Sequence, residues 1–254
     1  MKKVFLLTTI VLVLGLPAFA QPGPRGGGQG PNLGGPISKL FAANQSFSAV
    51  MVFQGAGPDG RNVTMPGKIY FDNGKSRFEM NMSEIQGGQI SPNAAEQMKA
   101  MGMDSMISIS RPDLKLAYLV YPGLNSYAEV PSRDAAASAT PNDYKAETEK
   151  LGNETVDGHD CVKNKVTVTD KEGNQHESTV WNATDLKDFP VKIVATEQGH
   201  TSTMQFKNIS FDKPAASNFE PPAGFTKYDD VQTMMRTEMM KKMGGAMGMQ
   251  PGHP

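Results

Sequence analysis

The sequence has very few of the residues on which catalytic, metal and disulfide chemistry depends. It contains one cysteine, Cys161, one tryptophan and four histidines in 254 residues. A single cysteine excludes any disulfide within the chain, so the fold must be stabilised by an apolar core. Basic residues (25) almost balance acidic residues (26), and no basic patch is interleaved with aromatics, which argues against a nucleic-acid partner.

No arrangement of these few residues predicts a reaction. The histidines, at positions 159, 176, 200 and 253, lie in neither a Gly-x-Ser-x-Gly nor a His-Glu-x-x-His motif. His159-Asp160-Cys161 offers two soft or borderline ligand types, whereas a metal site needs three or four ligands. Burial of Cys161 as a small apolar residue is the simpler interpretation. The sequence therefore predicts no enzyme, no metal site and no cofactor.

The only long apolar run lies at the N-terminus and is too short to span a membrane. Val4 to Leu16 follows the basic start Met1-Lys2-Lys3 and precedes the A-x-A site Ala18-Phe19-Ala20. This order is typical of a cleaved signal peptide over residues 1–20, which predicts a periplasmic or secreted product without a transmembrane span. No cysteine follows the signal to accept a lipid.

Composition divides the rest of the chain into three parts. Residues 21–36 are rich in Gly and Pro without periodicity, which predicts a disordered leader. Residues 37–228 are expected to form one domain, and residues 229–254 a Met-rich helix followed by a flexible tail. In the last part Val231, Met235, Met239 and Met243 recur every four residues, as on the apolar side of a helix.

The domain is organised around the alternation of apolar and polar residues between Cys161 and Phe211. Val166 and Val168 alternate with Lys165, Thr167 and Thr169, and Gly, Asn, Asp and Pro separate such runs. Earlier runs alternate in the same way. The sequence predicts an α+β, mainly β fold: an antiparallel sheet with one covered face, a lid helix and a C-terminal helix.

One face of this sheet is expected to be apolar. The residues assigned to it by alternation are Met51, Phe53, Phe78, Met80, Ile107, Ile109, Val166, Val168, Val180, Ile193, Met204 and Phe206. Eight of them are predicted to line a groove: Met51, Phe53, Phe78, Met80, Ile107, Ile109, Met204 and Phe206. Asp185 to Pro190 should form a tight connection between two paired strands, with Leu186 or Phe189 folded beneath it.

The lid helix is predicted from its ends. Ser91-Pro92 is typical of an N-cap followed by proline at the first helical position, and Gly102 should end the helix after Met101. Methionine is unusually frequent, with 17 residues, around this helix and in the tail. Three interpretations stay open: core filling, an adaptable surface for apolar ligands, or Cu(I) binding by thioethers such as Met239, Met243 and Met247 with His253.

Several segments resemble a known group of bacterial envelope proteins. Ile107 to Asp113 and Tyr118 to Pro122 are similar to the equivalent region of the outer-membrane lipoprotein carrier superfamily (LolA, LolB and RseB-like proteins). Leu151 to Cys161, Asp185 to Val191 and Phe219 to Phe225 look like an uncharacterised bacterial periplasmic family within that group. The resemblance covers roughly residues 47–228 and implies a curved, incomplete antiparallel barrel whose open mouth is covered by helices.

The resemblance also implies a function. Several members of the superfamily hold acyl chains or apolar peptides between sheet and helices, so we expect a non-enzymatic periplasmic protein that binds a lipid, an acyl chain or an apolar peptide. An envelope protein partner is a further expectation, and the sequence leaves the oligomeric state open. Two alternatives remain: a Met-rich copper-handling protein, and an envelope structural or signalling module whose groove is filled by its own side chains.

Overall fold

The structure, a computed structural model, describes residues 33–56, 60–87, 91–132, 144–197 and 199–246. The predicted signal peptide and the last residues of the tail lie outside these ranges. The strands are β1 (Ser46–Ala56), β2 (Asn62–Asp72), β3 (Lys75–Asn81), β4 (Ser105–Arg111), β5 (Leu116–Tyr121), β6 (Ser126–Pro131), β7 (Lys145–Val156), β8 (His159–Thr169), β9 (Gln175–Ala183), β10 (Phe189–Glu197), β11 (His200–Ser210) and β12 (Thr226–Tyr228). The two α-helices among the described residues are α1 (Pro92–Ala100) and α2 (Val231–Ala246).

All of these strands belong to one curved sheet that does not close. Its order is β12-β6-β5-β4-β3-β2-β1-β11-β10-β9-β8-β7, so β12 and β7 form the two edges. The pairing is antiparallel except between β12 and β6, because β12 returns from the far half of the chain. The predicted mainly-β fold with an incomplete barrel is confirmed.

One face of the sheet, here called the core face, carries most of the apolar core. Met51 pairs with Phe206 across β1 and β11, and both side chains are buried on this face. A 3₁₀ helix, Gly35–Phe41, lies over it and inserts the Phe41 ring. The ring centroid of Phe41 is 5.2 Å from that of Phe47 and 5.6 Å from that of Phe206. These aromatic contacts bury the centre of the core face with the chain's own residues.

The N-terminal boundary of the folded part differs from the expectation. Leu33 is completely buried in the same core cluster, and Pro36 lies in the first turn of the 3₁₀ helix. Both residues fall inside the range predicted as a disordered leader. The sequence did not indicate this burial, because a single leucine among glycines and prolines produces no hydrophobic periodicity.

The other face of the sheet, here called the opposite face, has its own smaller core at β4 and β5. Ile109, Tyr118 and Val120 are buried there beneath Phe219. Phe219 belongs to residues 214–225, the part of the chain that follows β11 and leads to β12. This segment runs over the opposite face and is called the strap below. The sheet is therefore covered on both faces in this half.

Basic side chains fasten the strap to the opposite face. Arg77 donates a hydrogen bond to the carbonyl of Asn218 at 3.2 Å, and Arg111 donates one to the carbonyl of Phe219 at 3.1 Å. Arg111 also pairs with Asp113 and with Glu220. Hydrogen bonding to Asp113 and to Glu220 raises the pKa of the Arg111 guanidinium, because these acceptors favour its charged form.

Helix α1 begins as its sequence predicts and lies mostly at the surface. The Ser91 hydroxyl accepts a hydrogen bond from the backbone N–H of Ala94 at 3.2 Å, and Gly102 has a φ of 73° beyond the helix end. Ala94, Ala95 and Met98 are only half-buried, while its other described side chains are exposed. The core face is covered mainly by the 3₁₀ helix Gly35–Phe41 and, near the β12 edge, by α2.

Helix α2 covers the core face near the β12 edge. Asp230 caps it by accepting a hydrogen bond from Thr233 N at 2.7 Å, as expected for an acidic residue at this position. Among the described side chains of α2, Met234 and Glu238 are buried, whereas Met235 and Met239 from the predicted stripe are half-buried. No helix among the described residues has the length and apolar character needed to cross a bilayer.

Candidate functional site

The structure separates the eight predicted groove residues between the two faces. The six residues on the core face are Met51, Phe53, Phe78, Met80, Met204 and Phe206. Ile107 and Ile109 pair with Glu79 and Arg77, which flank Phe78 on β3, so both isoleucines lie on the opposite face. Placing them with the others was wrong, because Ser108 and Ser110 occupy the core face on β4.

The predicted core-face groove is filled by the chain itself over much of its length. Met51, Phe78, Met204 and Phe206 are at most 3% exposed, under the 3₁₀ helix and its Phe41 ring. Phe53 and Met80 are half-buried at the border of this cluster. An added ligand would have to displace side chains that already pack together.

A cavity of about 490 Å³ lies instead across strands β1 to β4. Val50, Lys68, Glu79 and Ile107 are successive cross-strand neighbours on the opposite face and line it. Pro66 on β2 lies beside them and has no N–H to donate. Two residues of the predicted groove, Met80 and Ile107, therefore do line one cavity, although they belong to different faces.

Gly67 shapes the floor of this cavity. A Cβ atom at this position would lie 2.5 Å from the Phe78 ring and 2.5 Å from the Glu79 carbonyl oxygen. Only glycine lets the Phe78 ring lie against the backbone on the core face while the cavity opens on the other side. The position of the Phe78 ring on the core face and the shape of the cavity therefore both depend on the absence of a side chain at Gly67.

The rim of the cavity carries charges of both signs. The Glu79 carboxylate accepts a hydrogen bond from Arg77 Nε at 2.6 Å, so its charge is compensated. Lys68 and Glu84 are exposed, and neither has a charged or hydrogen-bonding partner for its side chain within the described part of the chain. Glu84 reaches the rim from the 3₁₀ helix Met82–Glu84, which follows β3.

The candidate metal pair at the start of β8 is not assembled as a site. Cys161 is 2% exposed, and its thiol donates to the His159 carbonyl at 3.3 Å. The His159 ring instead lies 2.7 Å from the Asp185 carboxylate. Burial raises the pKa of the Cys161 thiol. Within the described ranges, no three His, Cys, Asp or Glu side chains are grouped as metal ligands.

The methionines have different environments. Met80 and Met106 line the cavity, and Met234, a residue of α2, is buried. The side chain of Met243, together with Met247 and His253, lies outside the described residues, so the thioether set expected for Cu(I) stays a prediction.

Sequence reasoning missed Val50 and Pro66 as cavity residues. Val50 lies on the same face of β1 as Val52, whereas Met51 lies on the core face. Alternation alone therefore assigns Val50 to the solvent-exposed face. Proline in the middle of β2 was the available signal, because an internal strand seldom contains one unless pairing or packing is locally special.

Comparison with known proteins gives one family and several distant solved structures. No curated protein matches the chain. Lipoprotein LppX of Mycobacterium tuberculosis is 12% identical, over 71% of this chain and 94% of that one, with a TM-score of 0.41. For LprF of Mycobacterium bovis the identity is 13%, the coverage 75% and 95%, and the TM-score 0.40.

A LolA superfamily protein of Nitrosomonas europaea is 11% identical, over 73% of this chain and 96% of that one, with a TM-score of 0.37. The superfamily named for that protein is the one that the sequence motifs resemble. Such distant likenesses say nothing about a ligand. The family model described as "Domain of unknown function (DUF4412)" matches residues 47–189, more than half of the sequence, and the chain belongs to this family.

Proposed function

We propose that the protein is a non-enzymatic binding protein of the bacterial periplasm that holds the apolar part of a lipid, an acyl chain or an apolar peptide. The observation that carries this proposal is the cavity across β1 to β4. Its volume, about 490 Å³, falls in the range of small-molecule sites, and Val50, Pro66 and Ile107 give it apolar walls. The signal-like residues 1–20 support the periplasmic location.

The character of the walls suits a ligand without a fixed shape. Val50, Pro66, Met80 and Ile107 are half-buried rather than closed off, so they gain further burial when an apolar ligand arrives. Met80 and Met106 add unbranched, polarisable side chains that adapt to different ligands. An acyl chain or an apolar peptide side chain meets these conditions better than a rigid polar substrate.

The core face favours a second candidate. Phe41 fills the space between the 3₁₀ helix and the sheet, which is what a structural or signalling module with a self-filled groove would show. The two functions differ in one measurable property, because the module binds no apolar probe.

The test is titration of the purified mature protein with N-phenyl-1-naphthylamine, a neutral dye whose fluorescence rises in apolar surroundings. We expect saturable binding that Val50→Asp weakens at least tenfold, because a carboxylate in the cavity would lose solvation. Val52→Asp is the matched control: Val52 lies on the same strand and face, two residues away, and does not line the cavity.

Circular dichroism should show both variants folded, since Val50 and Val52 are half-buried. Equal loss of dye binding in the two variants would move the site away from the cavity. No saturable binding by the unchanged protein would support the self-filled module.

A further inference from the structure

The cavity rim pairs one uncompensated positive charge with one uncompensated negative charge. Lys68 stands on β2 with Val50 and Glu79 as its cross-strand neighbours. Its ammonium group makes no ion pair or hydrogen bond within the described residues, and the Glu84 carboxylate makes none either. Glu79 does not alter this balance, because Arg77 Nε contacts its carboxylate at 2.6 Å.

The two unpaired charges belong to different secondary-structure elements on either part of the rim, and the apolar walls of the cavity lie between them. Lys68 projects from the middle of the sheet, whereas Glu84 ends the short 3₁₀ helix beyond β3. Both line the same cavity as Val50, Pro66 and Ile107. A ligand lying on these apolar residues therefore meets an ammonium group at one part of the rim and a carboxylate at another.

We infer that the cavity accepts a zwitterionic amphiphile: a molecule with an apolar chain and a head group that carries one anionic and one cationic group. The chain lies on Val50, Pro66 and Ile107, the anionic group faces Lys68, and the cationic group faces Glu84. This inference rests on the proposed function, since it names the class of ligand for the same cavity.

Ligands with a single charge fit this rim less well. A purely anionic head group meets Lys68 but is repelled by Glu84, and a purely cationic one meets Glu84 but is repelled by Lys68. A zwitterion satisfies both without a net charge penalty. Each exposed contact is weak, so together they select the head group while the apolar walls supply most of the affinity.

The experiment measures how three amphiphiles with the same twelve-carbon chain displace N-phenyl-1-naphthylamine below their micelle concentrations. Dodecylphosphocholine is zwitterionic, dodecyl phosphate anionic and dodecyltrimethylammonium cationic. We expect the unchanged protein to prefer the zwitterion by about threefold over each of the others, the size expected of exposed ion pairs.

Each of two variants should create a preference between the anionic and the cationic amphiphile, and the two preferences should be opposite. Lys68→Gln should favour the cationic amphiphile over the anionic one by about threefold, and Glu84→Gln the anionic one over the cationic one by a similar factor. Lys145→Gln and Glu147→Gln, exposed positions on β7 far along the sheet order from the cavity, are the matched charge controls and should leave all three affinities unchanged.

The outcomes separate this inference from the proposed function. If the dye does not bind, the proposed function fails and the inference falls with it. If the dye binds but the amphiphiles displace it equally, or the β7 controls shift the preferences as much as Lys68→Gln and Glu84→Gln, the head-group inference is overturned while the apolar site stands.

Discussion

The two halves of the sheet are built differently. In the half formed by β8 to β11 and β1, most apolar side chains of the core lie on the core face, and Lys163, Lys165 and Lys192 lie on the opposite face. Trp181 lies on the opposite face between two of these lysines. The ammonium groups of Lys163 and Lys192 are 4.9 and 4.5 Å from its ring centroid and cover the ring. In the half formed by β4 to β6, the strap and α2 cover the two faces separately.

This difference explains which parts of the sequence are easy to interpret. Where one face is polar, alternation assigns every residue to its side, as for Val166 and Val168. Where both faces are covered, apolar residues are adjacent, as in the run from Leu116 to Val120. Strands buried on both faces lose the alternating pattern, so the sequence does not say which apolar residues share a face.

The largest effect is expected in the half with the single aromatic core. Phe189 is fully buried beneath the turn that joins β9 and β10, with ring centroids of Phe47 and Phe206 at 4.9 and 5.7 Å. Phe189→Ala should lower the free energy of unfolding by about 4 kcal/mol, because the surrounding rings cannot close the space. Urea denaturation measures this change.

Leu186→Ala is its control in the same turn. Leu186 is half-buried, so the variant should lose about 1 kcal/mol. Equal losses in the two variants would mean that the turn, rather than the aromatic core, limits the stability of this half.

A second prediction tests whether the two-sided half truly has a core on the opposite face. Ile109 is fully buried against Tyr118, Val120 and Phe219, so Ile109→Ala should cost about 3 kcal/mol. Val52→Ala, on the same face in the neighbouring region, should cost about 1 kcal/mol since Val52 is half-buried. Thermal or urea unfolding that ranks Val52→Ala above Ile109→Ala would remove the distinction between the halves.

The smallest effect concerns the polar contacts of Glu238, which link α2 to Tyr228 on β12 and to Ser126 on β6. Burial alone would raise the pKa of Glu238, but hydrogen bonds from Lys241 at 2.8 Å and from Tyr228, with a further one involving Ser126, lower it below its ordinary value. Ionised Glu238 therefore stabilises the fold above the ordinary pKa of a glutamate. That contribution disappears as the pH falls through the lowered pKa.

Glu238→Gln should accordingly lose about 1 kcal/mol near neutral pH, and the difference from the unchanged protein should vanish in acid. Urea denaturation between about pH 6 and about pH 3 measures this dependence. Glu96→Gln, at an exposed position of α1, is the control and should follow the unchanged protein at every pH. A pH-independent difference for Glu238→Gln would show that packing rather than charge holds α2.

The strand pattern, the N-cap of α1 and the turn above Phe189 could all be predicted because they depend on local rules. Ser91 caps its helix through contacts within three residues, and Phe189 follows a turn whose own residues determine its geometry. The candidate site was only partly predictable. Met80 and Ile107 were selected for their apolar side chains, but Val50, Pro66, Lys68 and Glu84 line the same cavity.

By itself, the sequence determined that this chain forms a mainly antiparallel sheet, since period-two alternation and turn residues are local properties. Only the tertiary structure decided which face each apolar residue occupies in the two-sided half. The strap is more than a hundred residues away from β4 along the chain, so nothing near Ile107 or Ile109 indicates that Phe219 will cover the opposite face. Long-range packing also fills the predicted groove with Phe41 and leaves the cavity on the other side.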